Sequence, residues 1–198
     1  MYALIGGNIS STLFTSRPML MLLKTRTSPG EKLISLLPPF IYLPKTPFWI
    51  FAVDREGNSL ELARRGFQKI CALDRSHYLI QRARYQAKKE GLNIQFKEGD
   101  ARKLPYPSDS FDTVLILGNS FGYFESVQDD LQVLREVHRV LKPGGKIFID
   151  VADGEYLKSH FQPRSWEWIG KKQFVLRERS LSSDGQRLIS REIITHVE

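Results

Sequence analysis

The chain has one cysteine, Cys71, in 198 residues. That excludes an intrachain disulfide and removes any reason to expect an oxidising compartment. No apolar run approaches the roughly 18 residues that read as a membrane-spanning helix, so no membrane partner is expected. The four histidines (His77, His138, His160 and His196) and Cys71 lie far apart and show no ligand spacing, so no metal is expected. The G-x-G-x-x-G fingerprint of dinucleotide oxidoreductases is missing from residues 51–60. Acidic residues are nearly absent from the first fifty positions, where Glu31 stands alone against five Lys and Arg. Beyond residue 50 the charge is almost balanced, with 24 basic and 21 acidic residues, although the whole chain carries +7. A basic excess permits contact with nucleic acid, but the balanced body makes that the less favoured partner.

What is present divides the chain unevenly. Six of the ten prolines fall in residues 1–50. Short apolar pieces such as Met19–Leu23 and Leu33–Leu37 are cut off by Pro, Gly or charge before a period develops. A secretory signal is disfavoured, because Arg17-Pro18 interrupts the apolar stretch and no small-residue cleavage pattern follows it. Residues 1–47 are therefore expected to be an irregular, Pro-rich basic extension with one short helix near Glu31–Leu37.

From residue 48 the pattern becomes regular. Phe48–Val53 has the composition of a buried strand. Asn58-Ser59 caps a helix stopping at Gly66, Gln68–Asp74 is a second strand, and Ser76 caps a long helix ending at Gly91. Ile94–Gly99 and Phe111–Leu117 are further strands. A helix from Ser126 to Leu141 places Leu131, Leu134, His138 and Leu141 on one stripe, with His138 read as structural. Pro143-Gly144-Gly145 breaks it, and Lys146–Val151 is the fifth strand. Apolar strands alternating with helices predict an α/β fold with a doubly wound, mostly parallel sheet across residues 48–153. Residues 154–198 change character: Gln173–Ser180 and Arg187–Val197 alternate polar and apolar around Ser182-Ser183-Asp184-Gly185. They predict a substrate-side helix and antiparallel hairpin.

In such sheets ligands bind beyond the carboxyl ends of the strands. Asp74, ending the second strand, is placed to accept hydrogen bonds from ribose hydroxyls, or else serves as an ordinary turn residue. Asp100, in Gly99-Asp100-Ala101, can accept from the exocyclic amine of a base, or simply close a turn. Gly118-Asn119-Ser120 ends an apolar strand in small and amide residues that suit close backbone approach, with loop capping as the plainer role for Asn119.

The ordered set of motifs resembles the core of the class I S-adenosylmethionine-dependent methyltransferase family. The matching pieces are Ser59-Leu-Glu-Leu-Ala-Arg-Arg-Gly66, Ala72-Leu73-Asp74, Glu98-Gly-Asp-Ala-Arg102 before Leu104-Pro105, Phe111-Asp112, and the Leu-Lys-Pro-Gly-Gly-Lys run ending at Lys146. The resemblance implies a Rossmann-like core and S-adenosyl-L-methionine as cofactor. It places Asp74 at the ribose, Asp100 with Ala101 at the adenine, and Gly118-Asn119 at the methionine end, with Arg75 a further cofactor contact. The family's first loop is glycine-rich. Here Val53-Asp54-Arg55-Glu56-Gly57-Asn58 occupies that place, so Asp54 and Gly57 are the expected contacts from a loop with a single glycine.

The family fold has seven strands, whereas five core strands are counted and the chain stops at Glu198. An incomplete fold is therefore expected, with an open sheet edge that an oligomeric partner would cover unless the N-terminal segment substitutes. The implied activity is methyl transfer to a small-molecule acceptor in the cytoplasm. The alternatives are an RNA or protein methyltransferase using Arg17, Lys24, Arg26 and Lys45 as a basic arm, or a non-catalytic relic. Tyr123, Asp153 and His160 are candidates for a base, none singled out by spacing. Trp166, Trp168 and Phe161 either form an acceptor-side aromatic wall or pack beneath the hairpin.

Overall fold

The computed structural model describes residues 2–4, 19–25, 58–169 and 171–196, the first two stretches by their backbone only. The expected strand at Phe48–Val53, the helix near Glu31–Leu37 and the first loop at 51–57 lie outside the described residues. In chain order the elements are β1 (Tyr2–Leu4), β2 (Met19–Thr25), α1 (Asn58–Arg64), β3 (Ile70–Asp74), α2 (His77–Glu90), β4 (Ile94–Glu98), β5 (Phe111–Ile116), α3 (Val127–Val140), β6 (Leu141–Ala152), α4 (Gly154–Ser159), β7 (Arg164–Trp168), β8 (Gln173–Leu181) and β9 (Arg187–His196).

The parallel strands β3, β5 and β6 are largely apolar and buried, whereas β4 buries only Phe96. β3 pairs with β4 in parallel from Ile70↔Ile94 to Asp74↔Glu98, so both chains finish at the same edge. β5 and β6 pair in parallel, and β2 lies along the other side of β6 from Met19↔Lys146 to Thr25↔Ala152. A strand from the segment expected to be irregular thus lies beside β6, the substitution the sequence reading allowed for. β2 is in turn the end strand of this three-stranded sheet among the described residues. A run of Met and Leu was too short to show a period, yet its seven residues pair in unbroken register along the whole of the regular stretch of β6.

The caps act as expected at α2. Ser76 Oγ accepts from the Leu79 amide, and Gly91 closes the helix in the left-handed region. Serine at this position satisfies an amide that would otherwise be orphaned. Ser76→Ala is expected to cost about 1 kcal/mol, measured as a shift in the urea midpoint with unchanged slope.

The stripe on α3 is corrected. Its buried face is Asp130, Val133, Leu134, Val137 and Val140, while His138 is exposed. The valines sit on the same helical pitch and are stiff, compact side chains that pack against β5 and β6. From the same helix Glu136 and Arg139 reach the Leu104-Pro105-Tyr106 turn. The Leu104 amide donates to Glu136 (2.8 Å), and Arg139 donates to the Leu104 and Tyr106 carbonyls (3.0 and 2.8 Å).

The Arg139 guanidinium, helped by the Leu104 amide, holds the Glu136 carboxyl below its usual range. A depressed folded-state value makes the stabilisation fully present above the unfolded glutamate value of about 4.3 and removes it as pH falls through the lower folded value. Glu136→Gln should therefore flatten the acid limb of a plot of Tm against pH. An unchanged limb would refute the role.

The C-terminal region is larger than the predicted hairpin. β7, β8 and β9 form an antiparallel sheet, extended by β1 on the far side of β9. β7 went unrecognised because Arg164–Trp168 alternates over only five residues, and its partner is supplied by β8.

Candidate active site

The parallel register brings Asp74 and Gly99-Asp100 to neighbouring strand tips, where the Gly99 amide donates to the Asp74 carbonyl (3.0 Å). Asp74 is 6% exposed. Its Oδ1 accepts from the Ser76 amide (2.7 Å), while Oδ2 is buried with no hydrogen-bond partner among the described residues. A buried carboxylate oxygen without a donor is costly unless something supplies one.

Asp100 is less free than the sequence suggested. Arg102 chelates it, with Nη2 to Oδ2 at 2.6 Å and Nε to Oδ1 at 3.1 Å, and the Arg102 amide also donates to Oδ1 (2.9 Å). These contacts, led by the guanidinium, hold the Asp100 carboxyl below the usual carboxylate range. Ala101 lines a small cavity of about 20 Å³ with Phe121, Gly122, Phe124, Asp130 and Val133. Two cations lie over the Phe124 ring, Arg102 at 4.4 Å and Arg75 at 6.0 Å from its centroid.

Gly118 and Asn119 both adopt left-handed backbone angles, φ 67° and 54°. Consecutive left-handed residues turn the chain sharply as it leaves β5, and Asn tolerates this better than most side chains. The Asn119 amide donates to Asp150 Oδ2 (3.2 Å), and its side-chain oxygen accepts from the Ala152 amide (2.8 Å). Asn119 therefore ties the ends of β5 and β6 together. Asp54 and Gly57 lie outside the described residues.

Two candidate bases have structural duties. Asp153 caps α4 by accepting from the Glu155 and Tyr156 amides, and His160 stacks on Tyr156 at 4.1 Å. Arg102, Phe124, Asp130 and Arg187 were not identified from sequence. Arg187 and Asp130 meet across 57 positions, a separation that no local pattern reports. Among the described residues, no cluster of His, Cys, Asp and Glu is arranged to hold a metal ion, and no helix is long and apolar enough to cross a membrane.

Comparison with known proteins places these strand tips in a family. Residues 55–149 match the model of a methyltransferase domain. The PH0226 protein of Pyrococcus horikoshii OT3 is 31% identical, with a TM-score of 0.58 over 74% of this chain and 68% of that one. The chain belongs to the class I S-adenosylmethionine-dependent methyltransferase family.

An S-adenosylmethionine-dependent methyltransferase from Clostridium acetobutylicum shares the fold, with a TM-score of 0.59 at 19% identity over 76% of this chain and 66% of that one. Demethylmenaquinone methyltransferase of Listeria welshimeri is 42% identical over 79 residues, which is 39% of this chain and 32% of the relative. The Deinococcus radiodurans protein of the same name is 40% identical over 92 residues, covering 46% and 36% respectively. The chain spans about a third of the length of these curated relatives.

S-adenosylmethionine is the family's cofactor, and the residues present fit it at the ribose end. The unpartnered Oδ2 of Asp74 is the acceptor that a ribose hydroxyl would meet. The oxygens of Asp100, the residue expected at the adenine, are shared with Arg102, and Ala101 lines its cavity with the 121–124 segment.

Proposed function

We propose that the protein transfers a methyl group from S-adenosylmethionine to a small, apolar acceptor in the cytoplasm. The observation that carries the reading is the Asp74 carboxylate at the β3 tip, with one oxygen committed to the Ser76 amide and the other unpartnered. Bound there, S-adenosylmethionine supplies a methyl group already activated on a sulfonium. The chain's own task is alignment: Asp74 orients the ribose with Arg75 beside it, Asp100 and Ala101 face the adenine, and Gly118-Asn119 offer a tight turn at the methionine end. No base is required unless the acceptor arrives protonated.

The antiparallel sheet favours an apolar acceptor. Trp166, Leu176 and Ile193 are directly opposite one another across β7, β8 and β9, and all three are exposed. Trp166 is 65% and Trp168 53% exposed, so neither packs beneath the sheet, the alternative left open by the sequence. Arg187, six residues from Ile193 on β9, lies on the same sheet face by strand alternation and reaches the segment beside Ala101. The name of the relatives, demethylmenaquinone methyltransferase, also specifies a small-molecule acceptor.

Isothermal titration of the full chain should give micromolar binding of S-adenosylhomocysteine, and absence of binding would leave only a non-catalytic scaffold. Label from methyl-tritiated S-adenosylmethionine should enter a naphthoquinol. Label entering only RNA or protein would overturn the acceptor class. Trp166→Ala should raise the KM for the quinol about 10-fold, the value of one buried aromatic contact, without changing S-adenosylhomocysteine affinity.

A further inference from the structure

We infer that Arg187 is a positioning residue for the cofactor pocket, linking the C-terminal antiparallel sheet to the strand tip that carries Asp100. The inference rests on the methyltransferase reading above.

Arg187 opens β9 and is buried. Its Nη2 donates to Asp130 Oδ2 at 3.0 Å, and its Nη1 donates to the carbonyls of Gly122 (3.3 Å) and Phe124. One guanidinium therefore holds both the first turn of α3 and the segment that follows β5. Arginine suits this because its donors are fixed in a planar fork, whereas a lysine ammonium is a single point. Asp130 is only 2% exposed, and burial raises its carboxyl despite the guanidinium beside it. An ion pair so deeply desolvated is a weak source of stability. Its presence calls for another account.

The account lies in the neighbouring residue. Asp129, adjacent to Asp130 in the first turn of α3, pairs with Arg102 (3.1 Å), and Arg102 chelates Asp100. The Arg102 guanidinium also lies over the Phe124 ring, whose carbonyl Arg187 holds. Two routes thus run from the antiparallel sheet to Asp100: through Asp130 and Asp129 in the helix, and through Phe124 in the loop. Gly122, Phe124 and Asp130 share a cavity wall with Ala101. When Arg187 releases these carbonyls, the 121–124 segment loses its anchor, and Arg102 loses the ring beneath it. The sheet proposed to carry the acceptor and the pocket proposed to carry the cofactor are then organised by one side chain.

The test uses Asp130→Leu/Arg187→Met, which replaces the buried pair by apolar groups of similar size, a change that often leaves stability intact. Tm is expected within about 4 °C of the wild type, consistent with a change of about 1 kcal/mol. S-adenosylhomocysteine affinity measured by titration should fall about 10-fold, and hydrogen exchange of amides 121–126 should quicken by a similar factor. The single variant Arg187→Lys keeps the charge against Asp130 but serves at most one carbonyl. It should fall between the two, which a purely structural ion pair would not produce. Unchanged affinity or unchanged exchange in the double variant overturns the inference, as does full rescue by lysine. Failure of the wild-type chain to bind S-adenosylhomocysteine would instead sink the methyltransferase reading itself, and that titration comes before any variant is made.

Discussion

Asp74→Ala is expected to weaken S-adenosylhomocysteine binding by about 10- to 100-fold, from one charge-assisted hydrogen bond at Oδ2 worth roughly 1.5–3 kcal/mol. The ligand would lose its ribose acceptor, and no other carboxylate among the described residues occupies that strand tip. Alanine also removes the acceptor of the Ser76 amide, so some stability would be lost with it. Asp74→Asn separates the two effects. Its amide oxygen can still accept from Ser76, while the second position becomes a donor facing a ribose hydroxyl. The asparagine variant should keep a near-native Tm and lose most of the affinity. If it binds S-adenosylhomocysteine within threefold of the wild type, Asp74 is only a turn residue.

The second large effect is one of stability. Gly145 lies where β6 makes its irregular passage against β5, with the register slipping between Phe111↔Leu141 and Thr113↔Lys146. A Cβ there would stand 2.9 Å from the Lys142 carbonyl oxygen, 3.2 Å from that of Asp112 and 3.0 Å from Leu141 Cδ2. Two of the three neighbours are backbone and cannot rotate aside. Lys142 fastens the same spot by donating to both Asp112 carboxylate oxygens at 3.0 Å. Gly145→Ala should therefore cost about 2–3 kcal/mol, as overpacking of a tight site does. In a chain of this length that is a fall in Tm of about 4–12 °C by scanning calorimetry. A Tm within 1 °C of the wild type would show that β6 relaxes around the methyl group at no cost.

The helices and central strands were legible because their signals are local. Ser76 and Gly91 bracket α2 in the sequence as they do in space, and the apolar run at Phe111–Leu117 has no other use than a buried strand. Asp74 was legible for the same reason: a carboxylate directly after an apolar strand marks the strand tip. Asp100 was only half legible. Its place just after β4 was legible, but its capture by Arg102 depends on a side-chain rotamer and on Asp129, 27 positions beyond Arg102 on α3. β2 and β7 were missed since each derives its order from a partner elsewhere, and Met19–Thr25 is meaningful as a strand only beside β6. Arg187 sat in an alternating stretch whose pattern reported the strand and nothing about what the first residue reaches.

Because β2 lies alongside β6, a strand made early waits for one made much later. Met19 cannot meet Lys146 until more than a hundred further residues have left the ribosome, and Tyr2 waits for Ile189. Pairing at such separation is slow, since loop closure precedes any contact that rewards it. During synthesis β2 lacks its partner, and can pair with neighbouring chains, until β6 has emerged. Expression yield should therefore respond to lower temperature more than to any single contact within the finished sheet.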